Sequence, residues 1–333
     1  MKKDFSRGRR TGLAAALAWT AAGPWLRAHA DTYPAKPLRL VVPFPPGGPT
    51  DAVSRIIAAD WQARLGQPVL VDNKSGAVGF IGHEEVRKSA PDGYTLLALV
   101  VPAVINYQFL GKTFLLPRDF TAIGMTYTQY NVLIVNPQAK GMAEVTTVAQ
   151  LLAVARATPD GLSYTSAGNG SLGHLTVARL TNLTGVRMVH VPYRGAAPAI
   201  NDVLAGQVPV MFADSTTAGP HIRSGKLRAI AVTSAQRVAE LPQVATLIEQ
   251  GYAGQVVTPW YGLAAPAGTP ADIVARLATA LKATVAQPEV QDKLRALGLT
   301  PQYMPPDEFT AFVNREFEVW SKVIRDNQIV VAI

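Results

Sequence analysis

Leu38-Arg39-Leu40-Val41-Val42-Pro43-Phe44-Pro45-Pro46-Gly47-Gly48-Pro49-Thr50-Asp51 decides how this chain is read. Leu38 to Phe44 is an apolar β-type run and Pro45 to Pro49 is a turn. Thr50-Asp51 then opens an amphipathic helix that reaches Leu65 and carries Ala52, Val53, Ile56, Ile57 and Trp61. Strand, glycine turn and helix N-terminus together form an anion cradle. The first helical turn leaves backbone N–H groups without partners and carries the positive end of the macrodipole, so a carboxylate or phosphate is stabilised there. Gly47 and Gly48 lack Cβ and let a ligand approach the backbone. An ordinary βα turn looks the same, so the weight of the anion reading rests on repetition elsewhere in the chain.

That repetition is present. Pro68 to Val71 reads as a strand, Gly76 to Gly82 as a glycine loop, His83 to Ser89 as a helix and Thr95 to Val100 as a strand after the Asp92-Gly93-Tyr94 turn. A second α/β unit begins with Val132-Leu133-Ile134-Val135 and a helix from Val148 to Ala157. It continues with a strand Leu162 to Thr165, a glycine loop Ala167 to Gly173 and a helix His174 to Leu183. The strands Met188 to Val191, Val208 to Phe212 and Leu227 to Val232 follow, and Thr258 to Leu263 reads as a return strand. Pro270 to Ala286 and Pro306 to Arg325 close the chain as helices with a shorter one between. Alternation of this kind predicts an α/β fold of mostly parallel sheets with helices on both faces. There is no low-complexity linker, heptad or exact repeat. The boundaries are therefore expected at crossing strands near Gln129 to Val132 and Thr258 to Tyr261. The division is lobe one from 31–131 plus 259–333, and lobe two from 132–258. Two crossings make a hinge, and small ligands bind in the cleft between such lobes.

Residues 1–30 read as an export signal. Lys2, Lys3, Arg7, Arg9 and Arg10 precede an apolar run from Gly12 to Leu26, and Ala28-His29-Ala30 supplies a small-x-small cleavage site before Asp31. Arg9-Arg10 also suits twin-arginine export. The run falls short of the roughly 20 apolar residues of a spanning helix. Of the 31 basic and 23 acidic side chains, six and one lie in residues 1–30, so the remainder carries 25 against 22. Such a small surplus, with no run of Lys or Arg, gives no footprint for nucleic acid or an anionic membrane. Cysteine is absent, so disulfides contribute nothing and stability rests on burial.

The chain resembles the extracytoplasmic solute receptors of tripartite tricarboxylate transporters, the Bug or TctC-like proteins. The resemblance is carried by Val42 to Asp51, Pro91 to Leu97, Tyr164 to Ser171, His190 to Gly195, Gly225 to Thr233 and Trp260 to Pro270, in order along nearly the whole chain after residue 30. It implies a two-lobe type II periplasmic-binding-protein fold, a periplasmic location, capture of a small carboxylate and delivery to membrane permease subunits. It implies a monomer that has no cofactor and performs no chemistry. Carried onto these positions, it places lobe-one contacts at Phe44, Gly47, Gly48, Thr50 and Asp51, and lobe-two contacts at Ser166, Gly168, Asn169 and Ser171. An ionised Asp51 would repel a carboxylate, so Asp51 is expected to cap its helix or hold the turn. The family usually places an Asp directly after the strand ending Met211-Phe212. This chain has Ala213 and then Asp214, which makes Asp214 the candidate for the polar role there. Tyr130 and Trp260 lie at the crossings, where an aromatic solute could stack or where each could simply belong to the core.

Other chemistries fit less well. Asn169-Gly170-Ser171-Leu172-Gly173 sits between a strand and a helix like a nucleophile elbow, and Ser171, Asp214 and His221 follow in the order of a hydrolase triad, although the first elbow position is Asn. This secreted serine hydrolase is the alternative function. His83-Glu84-Glu85-Val86-Arg87 begins like a zincin helix but has Arg87 in place of the second ligand. His83 and His174 read as helix-surface residues near N-termini, and Arg194 as a solvated loop arginine. The spacing of Gly76, Gly79 and Gly82 is wrong for a dinucleotide fingerprint.

Overall fold

β1 (Leu38–Val42) leads through the glycine turn into α1 (Pro49–Leu65) in the computed structural model, which describes residues 33–253, 257–326 and 329. The export-signal reading of residues 1–30 lies outside the described residues. Pro49 stands at the first helical position, where its missing N–H costs nothing, and Gly66 ends the helix at φ +70°. There follow β2 (Val69–Asn73), a 3₁₀ turn (Ala77–Gly79), α2 (Phe80–Arg87), β3 (Thr95–Val100), α3 (Val101–Ile105) and β4 (Phe120–Thr128). The chain then runs through β5 (Asn131–Val135), α4 (Val148–Ala157), β6 (Leu162–Ser166), α5 (Leu172–Thr184) and β7 (Met188–Pro192). Next come α6 (Ala196–Leu204), β8 (Val210–Asp214), α7 (Ser215–Arg223) and β9 (Arg228–Val232). It ends with β10 (Trp260–Pro266), α8 (Ala271–Ala286), α9 (Pro288–Ala296), β11 (Thr300–Met304) and α10 (Pro306–Asp326).

A six-stranded sheet has the order β11-β4-β10-β3-β1-β2 and a five-stranded sheet the order β7-β6-β8-β5-β9. Their centres are apolar through and through: β3 is Thr-Leu-Leu-Ala-Leu-Val and all seven residues of β10 are buried, as sheets covered on both faces require. The expectation of mostly parallel pairing is corrected. β1 pairs in parallel with β2 and β3, and β6 with β7 and β8, whereas β10, β11 and β5 pair antiparallel with their neighbours. The strands that enter or leave a sheet at a crossing cannot keep the direction a βαβ unit imposes.

β4 and β11 escape the sequence reading. The alternation in β4 is broken at Gly124, which has φ +151° beside register shifts in the β10 pairing. A Cβ there would stand 2.8 Å from the Met304 carbonyl of β11, so the glycine marks a bulge where the edge strand presses close. The last helix follows its periodicity. Phe309, Val313, Phe317, Trp320 and Val323 are buried in the core of the first sheet.

The chain leaves the first sheet at Thr128 and enters the second at Asn131. The outgoing and returning segments are bonded to each other. Gln129 N donates to Pro259 O (2.8 Å), and Thr233 N donates to Asn131 O (2.9 Å). The Thr233 hydroxyl accepts from Asn131 N (3.0 Å) and donates to Val257 O (2.7 Å). Two further contacts join the layers: Leu172 and Leu175 of α5 share an apolar cluster with Val101, Val104 and Trp260, and Ser215 Oγ donates to Gly298 O at 2.8 Å.

Candidate functional site

Between these contacts lies a cavity of about 150 Å³. Two larger hollows, of about 570 and 390 Å³, lie within one lobe each, the first along β9 and the second beside α2. The smaller cavity draws its walls from the five-stranded sheet, from the crossing and from α3 beside the six-stranded sheet: Pro102 of α3, Gln129 and Asn131 of the crossing, and Ala196 of α6. Met211 to Asp214 at the end of β8, and Ala167 with Ser171 to Gly173 at the start of α5, complete it. Ser171 caps α5, its hydroxyl accepting from His174 N at 3.4 Å. The N–H groups of Leu172 and Gly173 belong to the first turn of α5 and have no intrahelical acceptor, so the positive end of this helix is presented to the cavity.

Of the sequence-derived candidates, Ser171 and Asp214 line the cavity. The loop before Ser171 serves as their support. Gly168 (φ +131°) and Gly170 (φ +73°) adopt backbone conformations suited to glycine, and Asn169 is half-buried between them. Ser166 is fully buried and occupied within the protein, because its hydroxyl accepts from Gly168 N (3.2 Å) and lies 2.7 Å from His190 Nε2. Tyr130 is 5% exposed and packs with Val132, Ile134 and Ala199 in the second sheet's core, and Trp260 meets Phe309 edge-to-face at 5.2 Å. Both aromatics at the crossings are core residues and offer no stacking surface in the cavity lining, because apolar rings at strand ends are drawn into the nearest core.

The lobe-one turn is held as expected of Asp51. Its carboxylate accepts from Gly47 N and from Arg55 Nε, both at 3.0 Å. Burial works against ionisation of Asp51, but Arg55, the Gly47 N–H and Asn73 outweigh it and hold the carboxyl below its ordinary range. Gly48 stands at the N-cap of α1, Thr50 O accepts from Ser54 Oγ (2.7 Å), and the Phe44 ring lies beside Gly79. These residues are outside the cavity lining. The lining residues the sequence did not single out are Pro102, Asn131, Ala167, Ala196 and Gln129. The inferred crossing at 129–132 was the available indication for Gln129 and Asn131.

Two histidines expected on helix surfaces are buried. His174 is 9% exposed, with its ring stacked on His190 at 4.1 Å and its Nδ1 accepting from Gly170 N at 3.2 Å. His83 is wholly buried among Tyr107, Phe114 and Phe120, because α2 turns this face to the sheet. Burial lowers the basicity of all three rings, taking His190 down to about 4, with the neighbouring His174 adding to it, and His83 to about 3. The native protein holds these rings neutral, whereas the unfolded chain takes up protons near pH 6.5. Stability from this source is therefore full above about pH 6.5 and is lost as pH falls toward 4 and then 3. At pH 5 a histidine held neutral costs about 2 kcal/mol. The urea midpoint should drop between pH 7 and 4.5, and His83→Met should recover part of that drop. A midpoint level across this interval would contradict the assignment.

The hydrolase alternative fails on geometry. Asp214 caps the start of α7, accepting from Thr217 N (2.8 Å), Thr217 Oγ1 (2.9 Å) and Thr216 Oγ1. His221 stands in the last turn of the same helix, seven residues on and about 10 Å along its axis. No triad can form. Among the described residues no group of three His, Asp or Glu side chains could hold a metal ion, and no helix is long and apolar enough to cross a membrane.

Two sheets joined by a double crossing, with a cavity beside that crossing, define the class as a two-lobe binding protein. The chain belongs to the family described as the tripartite tricarboxylate transporter family receptor, whose model matches residues 53–329. It is 35% identical over 300 residues to Protein BugT of Bordetella pertussis, covering 89% of this chain and 91% of that one. A Rhodopseudomonas palustris protein solved with adipate superposes with a TM-score of 0.79 at 33% identity, over 90% of this chain and 99% of the other. MatC from Rhodopseudomonas palustris with bound malate gives 0.75 at 30% identity, over 88% and 100%. The family is one of receptors, and the chain is a receptor of this kind and not an enzyme.

Proposed function

We propose that this receptor captures a small carboxylate in the cavity between its sheets and passes it to the permease subunits of a tripartite tricarboxylate transporter. The observation that carries the reading is the placement of the α5 N-terminus, capped by Ser171, on the wall of a cavity shared by both lobes. No Lys, Arg or His is among the cavity-lining residues, so the anion is held by backbone N–H groups and the Ser171 hydroxyl. Gly47, Gly48 and Thr50, outside the lining of this cavity, bring the N-terminus of α1 to the bound ligand when the lobes close on it, with Phe44 as an apolar wall, while Asp51 keeps the turn in shape. Gly168 and Asn169 shape the loop on the lobe-two side. The lobes divide at 31–131 plus 259–333 and 132–258. Contacts from both lobes to one anion favour the closed arrangement by their differential affinity alone. Neighbours of the same family carry adipate and malate, which is the chemistry assigned to this cavity. Residues 1–30 act as a cleavable export signal, the working location is the periplasm, and the receptor acts as a monomer.

A thermal-shift screen of the chain from Asp31 onward tests this reading, using small mono-, di- and tricarboxylates beside their neutral amides. An acid at 100 times its dissociation constant adds about 2.7 kcal/mol to stability. Acids should raise the melting temperature and amides should not. If no acid in the panel raises it, the carboxylate reading is wrong.

A further inference from the structure

α1 and α5 begin alike. In each, the side chain at the third helical position reaches back four residues and accepts the N–H of a glycine in the left-handed region: Asp51 from Gly47 N at 3.0 Å (φ +89°), and His174 from Gly170 N at 3.2 Å (φ +73°). Bonds of this kind fix the entry of a chain into its helix. The two differ in charge. The first turn of α1 contains the Asp51 carboxylate, balanced by Arg55, whereas the first turn of α5 contains no acid. An imidazole that accepts at Nδ1 carries its proton on Nε2 and is neutral, and burial favours that form of His174. α5 is therefore fastened with no negative charge behind the N–H groups of Leu172 and Gly173 on the cavity wall.

The loop before α5 has a second support. Gly168 N donates to Ser166 Oγ (3.2 Å), which lies 2.7 Å from His190 Nε2. His190 is stacked on His174 with the ring centroids 4.1 Å and the planes 5° apart, and Tyr164 of β6 stacks on His190 in turn at 5.0 Å. The two imidazoles thus carry both glycines of the loop, Gly168 through Ser166 and Gly170 directly. Ala167 and Ser171, on either side of this glycine stretch, line the cavity, and neither imidazole does. Both rings act on the cavity through the loop.

We infer that His174 and His190 are a pair of positioning residues for the bound carboxylate, holding residues 167–171 in the shape that aims the Ser171 hydroxyl and the first N–H groups of α5 at it. The inference rests on the carboxylate-receptor reading above and deepens it. The hydrogen bond from Gly170, rather than the bulk of the His174 ring, is the effective contact. A glutamine performs the same task in α4, where Gln150 Oε1 accepts from Thr146 N at 2.8 Å, so glutamine is the conservative replacement.

Titration calorimetry with L-malate, succinate and adipate on paired variants decides it. His174→Phe keeps a flat ring against His190 and loses the acceptor, whereas His174→Gln keeps an acceptor and loses the ring. His174→Phe should bind an acid that wild type binds about tenfold more weakly, and His174→Gln within about threefold of wild type. A role in packing alone gives the reverse order. If His174→Phe does not melt in one transition, His190→Phe and His190→Gln make the same comparison at the Ser166 bond, with His190→Phe about fivefold weaker and His190→Gln close to wild type. Wild-type affinity in the phenylalanine variant overturns the inference and leaves the receptor reading intact. So does a glutamine variant as weak as its phenylalanine counterpart. Absence of binding to wild type by any acid, in these titrations and in the broader screen, removes the receptor reading itself.

Discussion

Replacing Gly262 with alanine is expected to lower the unfolding free energy by about 3 kcal/mol or more, or to prevent folding. Gly262 lies in the middle of β10, between Leu99 of β3 and Met125 of β4. A Cβ at this position would stand 2.3 Å from Phe309 Cζ and 2.6 Å from the Gly124 carbonyl oxygen. Neither can yield cheaply. Phe309 is completely buried and meets Trp260 edge-to-face, and the Gly124 carbonyl belongs to the neighbouring strand. The glycine is thus what lets α10 lie directly on the sheet, and a single methyl group would force the helix and strand apart. Urea unfolding followed by far-UV circular dichroism measures the effect. A midpoint equal to wild type would show that the helix has room to retreat.

Gly168→Val should weaken carboxylate binding by more than about 100-fold while leaving a cooperatively folded protein, a loss of about 2.7 kcal/mol in binding. At φ +131° a β-branched residue is strained by roughly 1–3 kcal/mol, and its Cβ would stand 3.0 Å from the Tyr193 carbonyl. The loop relieves this by moving, and Gly168 is the point from which Ser171 is placed: Ser171 N donates to Gly168 O at 3.2 Å, and Ser166 Oγ bridges both polar groups of Gly168. A displaced loop shifts the start of α5 away from the ligand, whereas the Tyr164–His190–His174 stack beneath keeps its packing. Gly47→Val should act more weakly, because φ +89° strains it but nothing lies within 4 Å of its Cβ. The readout is the acid-induced rise in melting temperature, which should vanish for Gly168→Val although the unliganded protein still melts in one transition. Retained affinity for an acid that stabilises wild type would separate the loop from the site.

Elements with strong local character were legible in the residues. Thr95 to Val100 is a continuous apolar run and is β3 as read. Pro49, Gly66 and the spacing of Val53, Ile57 and Trp61 are local punctuation and periodicity, and they delimit α1. Asp51 was assigned to its own turn from charge repulsion alone, and its bond to Gly47 N agrees. His83 was misread because a single ring four residues into a short helix has no periodicity to say which face it occupies. Its burial follows from where Tyr107, Phe114 and Phe120 fold back over α2. β11 was missed for a related reason: Thr-Pro-Gln-Tyr-Met has no strand pattern and is held in place by pairing with β4.

The sequence by itself determined the α/β alternation, the glycine turn before the first helix and the family motifs that mark a receptor, because helix ends, glycine φ angles and apolar runs are local properties. Only the tertiary structure decided which of those motif residues share one cavity. Ser171 and Asp214 meet there with Gln129, Asn131 and Pro102, residues scattered over more than 100 positions, whereas Tyr130, one residue from Gln129, points into a core. Register along a strand sends neighbouring side chains to opposite faces, and which face becomes cavity is set by how two sheets close around their crossing strands.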